Sequence, residues 1–219
     1  MKRKSVYVVI ILLLTSVQCS KDKNEKPAPD LTKDLLAFFQ LNGDFDDSTK
    51  NIQDVAYGGF INNTKNRLGY ANRAMFFNGG LMSFETNEWN ANPITISLWV
   101  KPKSLTNDNY LVLSHEGAFG VYQSGSKLGL AVSIPATESA LATIDTGWTH
   151  FAGSYDGKDI KTYINGSLAN TFHHPGTPDI TTVVTVGAKD IPDWLGIIDD
   201  LRFYRRVLSA EEIQLLAGL

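Results

Sequence analysis

The stretch Gly196–Glu212, GIIDDLRFYRRVLSAEE, decides how the chain folds. Residues 197–204 read as a strand, in which alternate side chains share a face. Ile197, Asp199, Leu201 and Phe203 then fall on one side, and Ile198, Asp200, Arg202 and Tyr204 on the other. The first set is apolar except for one carboxylate. A buried carboxylate must be protonated, paired or bound to a cation, so Asp199 is expected to meet a partner. Asp200 lies close to Arg202 on the opposite face, and an exposed pair there needs no special role. Just beyond, Ser209 and Glu212 have the spacing of a capping box, flanked by Leu208 and Ile213 as a hydrophobic staple. They predict a short C-terminal helix that plugs one end of the fold.

Upstream, the hydrophobic pattern has a period of two. Ile94, Ile96, Leu98 and Val100 alternate with Thr95, Ser97, Trp99 and Lys101. Leu128, Leu130, Val132 and Ile134 do the same, as do Ile160, Thr162 and Ile164. Such runs predict half-buried antiparallel strands. Asp156-Gly157 and Asn165-Gly166 sit between them and suit two-residue hairpins. Asn78-Gly79-Gly80 and Ser124-Gly125 read as further breaks. Asp34 to Phe38 fits a short helix or a strand equally well. The expected class is all-β: a two-sheet antiparallel β-sandwich with a short C-terminal helix.

The N-terminus is read apart from this fold. Lys2, Arg3 and Lys4 precede an apolar run from Val6 to Leu14, and Cys19 follows. That is signal-peptide architecture, and the run is too short for an ordinary spanning helix. Cys19 is the single cysteine, so it has no internal disulfide partner. It resembles the acylated cysteine of bacterial lipoproteins, although Ser16 and Gln18 depart from the usual residues before it; the alternative is an ordinary secretory signal. Residues 20–30 are polar and proline-bearing and read as a flexible tether, which leaves 31–219 as the domain. The expected location is a cell-surface or outer-membrane lipoprotein, otherwise periplasmic or secreted. The formal charge of −3 on 219 residues, with no basic stripe, argues against nucleic-acid binding.

Four segments in order, DLLAFFQLNGDFDDSTKN, ITISLWVKP, GWTHFAGSYDGKDIKTYINGSL and GIIDDLRFYRRVLSAEEI, resemble the laminin G-like jelly-roll domains of the concanavalin A-like lectin/glucanase superfamily. The resemblance covers roughly Asp34 to Leu219. It implies two antiparallel sheets packed face to face, one of them concave, in a domain that binds carbohydrate, mediates adhesion or accompanies a glycoside hydrolase. It also implies a structural calcium at the strand aspartate, here Asp199, with partners from the loop Asn42–Asn51, chiefly Asn42 and Asp47. Calcium takes six to eight oxygens, and that loop is rich in them. The alternative is that Asp199 caps a turn or accepts backbone N–H bonds.

Catalysis finds little support. Retaining glycosidases hold two carboxyl groups about 5 Å apart. Relatives on this fold that hydrolyse laminarin carry theirs as Glu-x-Asp-x-Glu. The glutamates here are Glu25, Glu85, Glu88, Glu116, Glu138, Glu211 and Glu212, and none forms that pattern. His115, His150, His173 and His174 lack zinc spacing, and Ser114-His115-Glu116 is a run along the chain, not a triad. His150 is expected to hydrogen-bond within the sheet. The expected function is a non-catalytic glycan-binding or adhesion module. The alternatives are a glycosidase with a divergent carboxylate pair and a protein–protein scaffold. Sugars stack their apolar faces on aromatic rings, so Trp99, Trp89, Tyr122 and Tyr163 are the candidate ligand contacts. Trp148 and Trp194 are expected to pack the sandwich margins.

Overall fold

The computed structural model describes residues 28–106, 108–133, 140–187 and 194–219, except for the side chains of residues 87 and 88. Cys19, most of the tether and Ile134 lie outside the described residues. The strands are β1 Leu35–Phe39, β2 Val55–Thr64, β3 Ala74–Asn90, β4 Ile94–Pro102, β5 Asp108–Ser114, β6 Phe119–Ser124 and β7 Lys127–Val132. They continue as β8 Ala142–Thr143, β9 Thr149–Tyr155, β10 Asp159–Ile164, β11 Ser167–His173, β12 Ile180–Val186 and β13 Leu195–Tyr204, before helix α1 at Ala210–Gly218. The neighbour order is β11-β10-β9-β4-β13-β3-β12-β5-β6-β7-β8, with β1 on β13 and β2 on β3.

β3 serves both layers of this jelly-roll sandwich. Its first part, Met75 to Asn78, pairs with β13, and its second, Met82 to Asn90, pairs with β12. The Gly79-Gly80 pair, expected to break the chain, instead bends one continuous strand from sheet to sheet. Gly79 takes φ +85°. A Cβ on Gly80 would lie 2.6 Å from Ile61 Cγ1 and 2.9 Å from the Gly58 carbonyl oxygen. Glycine is required there because β2 crosses directly against the corner.

The alternating apolar residues form the core as expected. Ile94, Ile96, Leu98 and Val100 are fully buried, with Leu128, Leu130 and Val132 facing them from the other sheet. Asn165 and Gly166 take φ values of 50° and 80°, the two left-handed residues of a tight hairpin between β10 and β11. Residues 35–39 form a strand; pairing with β13 decides between the two local options.

The helix forms through the expected cap. The Ser209 side chain accepts from the Glu212 N–H, and Glu212 Oε2 accepts from the Ser209 N–H at 2.7 Å. Arg206 grips the same carboxylate at 2.8 and 2.9 Å. The helix does not plug an end. Ile213 and Leu216 pack with Ala152, Tyr163 and Tyr204, which point away from the central core. Thus α1 roofs part of the outer face of the β9–β10–β13 sheet.

A Gly80→Ala substitution is expected to lower stability by roughly 1–3 kcal/mol, read as a lower urea midpoint with unchanged slope. Gly58→Ala is the control, because its added Cβ meets nothing within 4 Å.

Candidate functional site

The alternation in β13 does not run unbroken. Pairing with β4 slips between Asp199 and Arg202, and Asp200 adopts φ 52°. This β-bulge inserts a residue and reverses the facing of the residues after it. Ile198 lies in the core before the bulge, and Leu201 and Phe203 lie in it afterwards. Asp199 therefore does not share the face of Leu201 and Phe203, as simple alternation predicts. It stands opposite Trp99 on the outer face.

Asp199 is nonetheless only 2% exposed, because the segment between β2 and β3 folds over it. Arg67, from that segment, donates to Asp199 Oδ2 at 3.0 Å and to Asp200 Oδ2 at 3.2 Å. Its guanidinium carbon sits 4.6 Å from the centre of the Trp99 ring. Arg202 bonds the Asp200 carbonyl at 3.1 Å and lies 3.7 Å over Phe38. Two carboxylates thus meet two guanidinium groups, and the cluster is neutral when all are charged. Burial and the adjacent Asp200 carboxylate push Asp199 up to about 7, against the pull of Arg67.

The residues expected to bind calcium do not assemble as a donor set. Asp47 is turned to a structural task. Its oxygens accept from the N–H groups of Phe38, Thr49, Asn51 and Ile52 and from the Thr49 hydroxyl, at 2.6–3.0 Å. Asn42 Nδ2 donates to Gln40 Oε1 at 2.9 Å. Asn42 does share a cavity of about 530 Å³ with Asp199 and Asp200, but Arg67 and Arg73 line it too. A divalent ion inserted there would add charge to an already balanced cluster. Among the described residues, no group of three or more His, Cys, Asp or Glu could hold a metal.

His150 and Ser97 lie beneath Trp99, with Nε2 and Oγ 3.0 Å apart. Both are buried, at 1% and 0% exposure, out of reach of a substrate. Burial, then the charges of Arg202 and Arg67, lower His150 to about 3, so the imidazole is neutral. Partial desolvation raises Glu116, but hydrogen bonds from Thr182 and Thr181 outweigh it and bring the acid down to about 2. A carboxyl held there stays ionised near neutrality and is unsuited to donate a proton.

Of the four aromatic candidates, Trp89 and Tyr163 are buried, and Trp99 and Tyr122 are half-buried. Trp89, although flanked by Glu88 and Asn90, is not exposed. It lies in β3 at 3% exposure, 5.2 Å from the Phe119 ring and 6.1 Å from that of Phe203. Tyr163 is buried under α1, and Arg67 lies over one face of the half-buried Trp99. Tyr122 is half-buried on the outer face of the second sheet, 4.8 Å from the ring of Tyr110. Gly120 supplies the space for this pair; a Cβ there would meet Tyr110 Cδ1 at 2.6 Å. Trp194 packs the margin as expected and donates from Nε1 to Gln123 Oε1 at 2.7 Å.

Sequence reading missed the most exposed aromatic pair. Phe45 and Tyr57 stack with ring centres 4.5 Å apart, and Tyr57 is 66% exposed. They wall a cavity of about 380 Å³ whose lining adds Val55, Ile61 and Met75 with Asp44, Asp46, Gln53 and Asn63. Such a volume suits a small-molecule site. The signal was present: Phe45 interrupts the acidic loop GDFDD, and β2 reads VAYGGF without a charge. The register that joins them was not.

Residues 76–214 match the laminin G-like family model described as the Concanavalin A-like lectin/glucanases superfamily. The chain belongs to this superfamily. No curated protein matches it in sequence. Among solved structures, domain 4 of AbnA, a GH43 extracellular arabinanase from Geobacillus stearothermophilus solved with arabinotriose, is similar with TM-score 0.68 and 24% identity, over 84% of this chain and 98% of that one. The binding domain of botulinum neurotoxin DC with rat synaptotagmin II gives TM-score 0.72 and 13% identity over 86% of this chain and 52% of that one. The same domain with SialylT gives 0.72 and 15%, over 86% and 51%. The chain therefore spans about half the length of these toxin domains. Identities this low establish a shared fold.

Arg67→Ala leaves Asp199 buried without its counter-charge and is expected to cost about 3–5 kcal/mol at pH 8, a fall in Tm of the order of 10 °C. With Asp199 raised to about 7 from an ordinary 3.8, the folded chain holds a proton in that interval that the unfolded chain has released. Stability therefore falls as pH rises from about 4 to about 7. The penalty of Arg67→Ala should accordingly shrink at pH 5, as measured by differential scanning calorimetry at both values.

Proposed function

We propose that this domain is a non-catalytic carbohydrate-binding module, exported and held at a membrane surface through Cys19. The observation that carries the reading is the exposed Tyr57 ring stacked on the half-buried Phe45, beside a cavity rimmed by Gln53, Asn63, Asp44 and Asp46. Aromatic faces bind the C–H faces of sugars, and amides and carboxylates meet hydroxyls with defined direction. The arabinanase domain, matched over 98% of its length, was solved with arabinotriose, which supports sugar recognition here. Tyr122 with Tyr110 is a second aromatic surface for the same chemistry. Binding through stacking and fixed hydrogen bonds needs no metal.

A protein partner is the second reading. Phe60, Leu68 and Tyr70 are 72%, 62% and 64% exposed, and one toxin relative was solved with a protein receptor.

A panel of neutral cello-, xylo-, manno- and arabino-oligosaccharides titrated by calorimetry separates the readings. At least one series should bind wild type, and Tyr57→Ala should weaken it by about 2 kcal/mol or more, over tenfold. Silence across the panel and across a wider glycan array would leave the protein partner.

A further inference from the structure

The stacked pair stands at one end of a longer feature. A second cavity, of about 680 Å³, lies beside the first, and Gln53 lines both. Its lining includes Asp34, Asp54, Glu85 and Arg205. The intervening residues, 53–57, are the entry to β2, which among the described residues pairs with β3 alone and keeps most of its residues exposed. We propose that the two cavities act as one groove along this edge and bind a run of several residues of an uncharged polysaccharide. This rests on the carbohydrate reading above and adds the length and charge of the ligand.

Length follows from the continuity. One sugar ring on Tyr57 and Phe45 fills the first cavity, and the chain that continues past Gln53 enters the second. Charge follows from the walls. Asp44 and Asp46 rim the first cavity, and Asp34, Asp54 and Glu85 rim the second, against the single base Arg205. Ionised carboxylates accept hydrogen bonds from sugar hydroxyls, whereas a uronate or sulfated chain would meet repulsion at each step. The edge of β2 adds main-chain N–H and C=O groups that hydroxyls can also reach. The groove therefore selects neutral chains over anionic ones and internal segments over single sugars.

The test uses the full chain and oligosaccharides of two to six residues from whichever neutral series binds, with galacturonate oligomers as the anionic probe. Affinity is expected to rise about tenfold or more from dimer to tetramer, and galacturonate tetramers to bind at least about tenfold more weakly than neutral ones. Asp54→Ala with Glu85→Ala should weaken tetramers more than dimers, and Asp44→Asn with Asp46→Asn should narrow the gap to galacturonate. Circular dichroism and Tm confirm that each variant is folded. Equal affinity for dimers and hexamers overturns the groove while sparing carbohydrate binding. A preference for galacturonate overturns the charge assignment. Loss of all glycan binding in wild type removes both readings at once.

Discussion

The contact between Arg67 and Asp199 organises the outer face of the β4–β9–β13 sheet. It joins a loop to a strand 132 positions away in sequence. The acid is there because of the bulge in β13, which turns it out of the core and under the loop. The base is there because it can stack on Trp99 and satisfy two carboxylates with one planar group, which suits guanidinium better than ammonium. Beneath that clasp His150 is kept neutral and Ser97 enclosed. With α1 over the neighbouring strands, part of the outer face is covered as well, and the polar residues Thr95 and Ser97 are fully buried.

That coverage decides where a ligand can reach. On the sheet carrying Trp99 and Tyr163, Tyr163 is buried and Trp99 has one face under Arg67. Openness remains on the second sheet, at Tyr110 and Tyr122, and at the entry to β2, where Phe45 and Tyr57 stack. Asp47 supports the latter indirectly. By gathering four backbone N–H groups it fixes the turn after Asp46, and so fixes the loop that presents Phe45.

Much of the fold was legible in the residues. Period-two runs marked β4, β7 and β10, Asn165-Gly166 marked the β10–β11 hairpin, and Ser209 with Glu212 marked the helix start. The errors share a cause. Gly79-Gly80 looked like a break because glycine weakens a strand, yet here it bends one at a sheet corner. Asp199 falls on the wrong face under simple alternation, which assumes an unbroken ladder. Trp89 looked exposed because its neighbours are polar, while β3 carries it into the core.

The sequence by itself determined the class of the fold: local alternation, turn chemistry and capping act over a few residues and are written in neighbouring positions. It also determined that Asp199 needed a partner, since burying a lone carboxylate is unfavourable anywhere. Only the tertiary structure decided that the partner is Arg67, that Arg67 also lies over Trp99, and that Phe45 meets Tyr57. Each of those outcomes depends on a register shift or a loop closing across the sheet, and such long-range pairings are set by the packing of the whole sandwich.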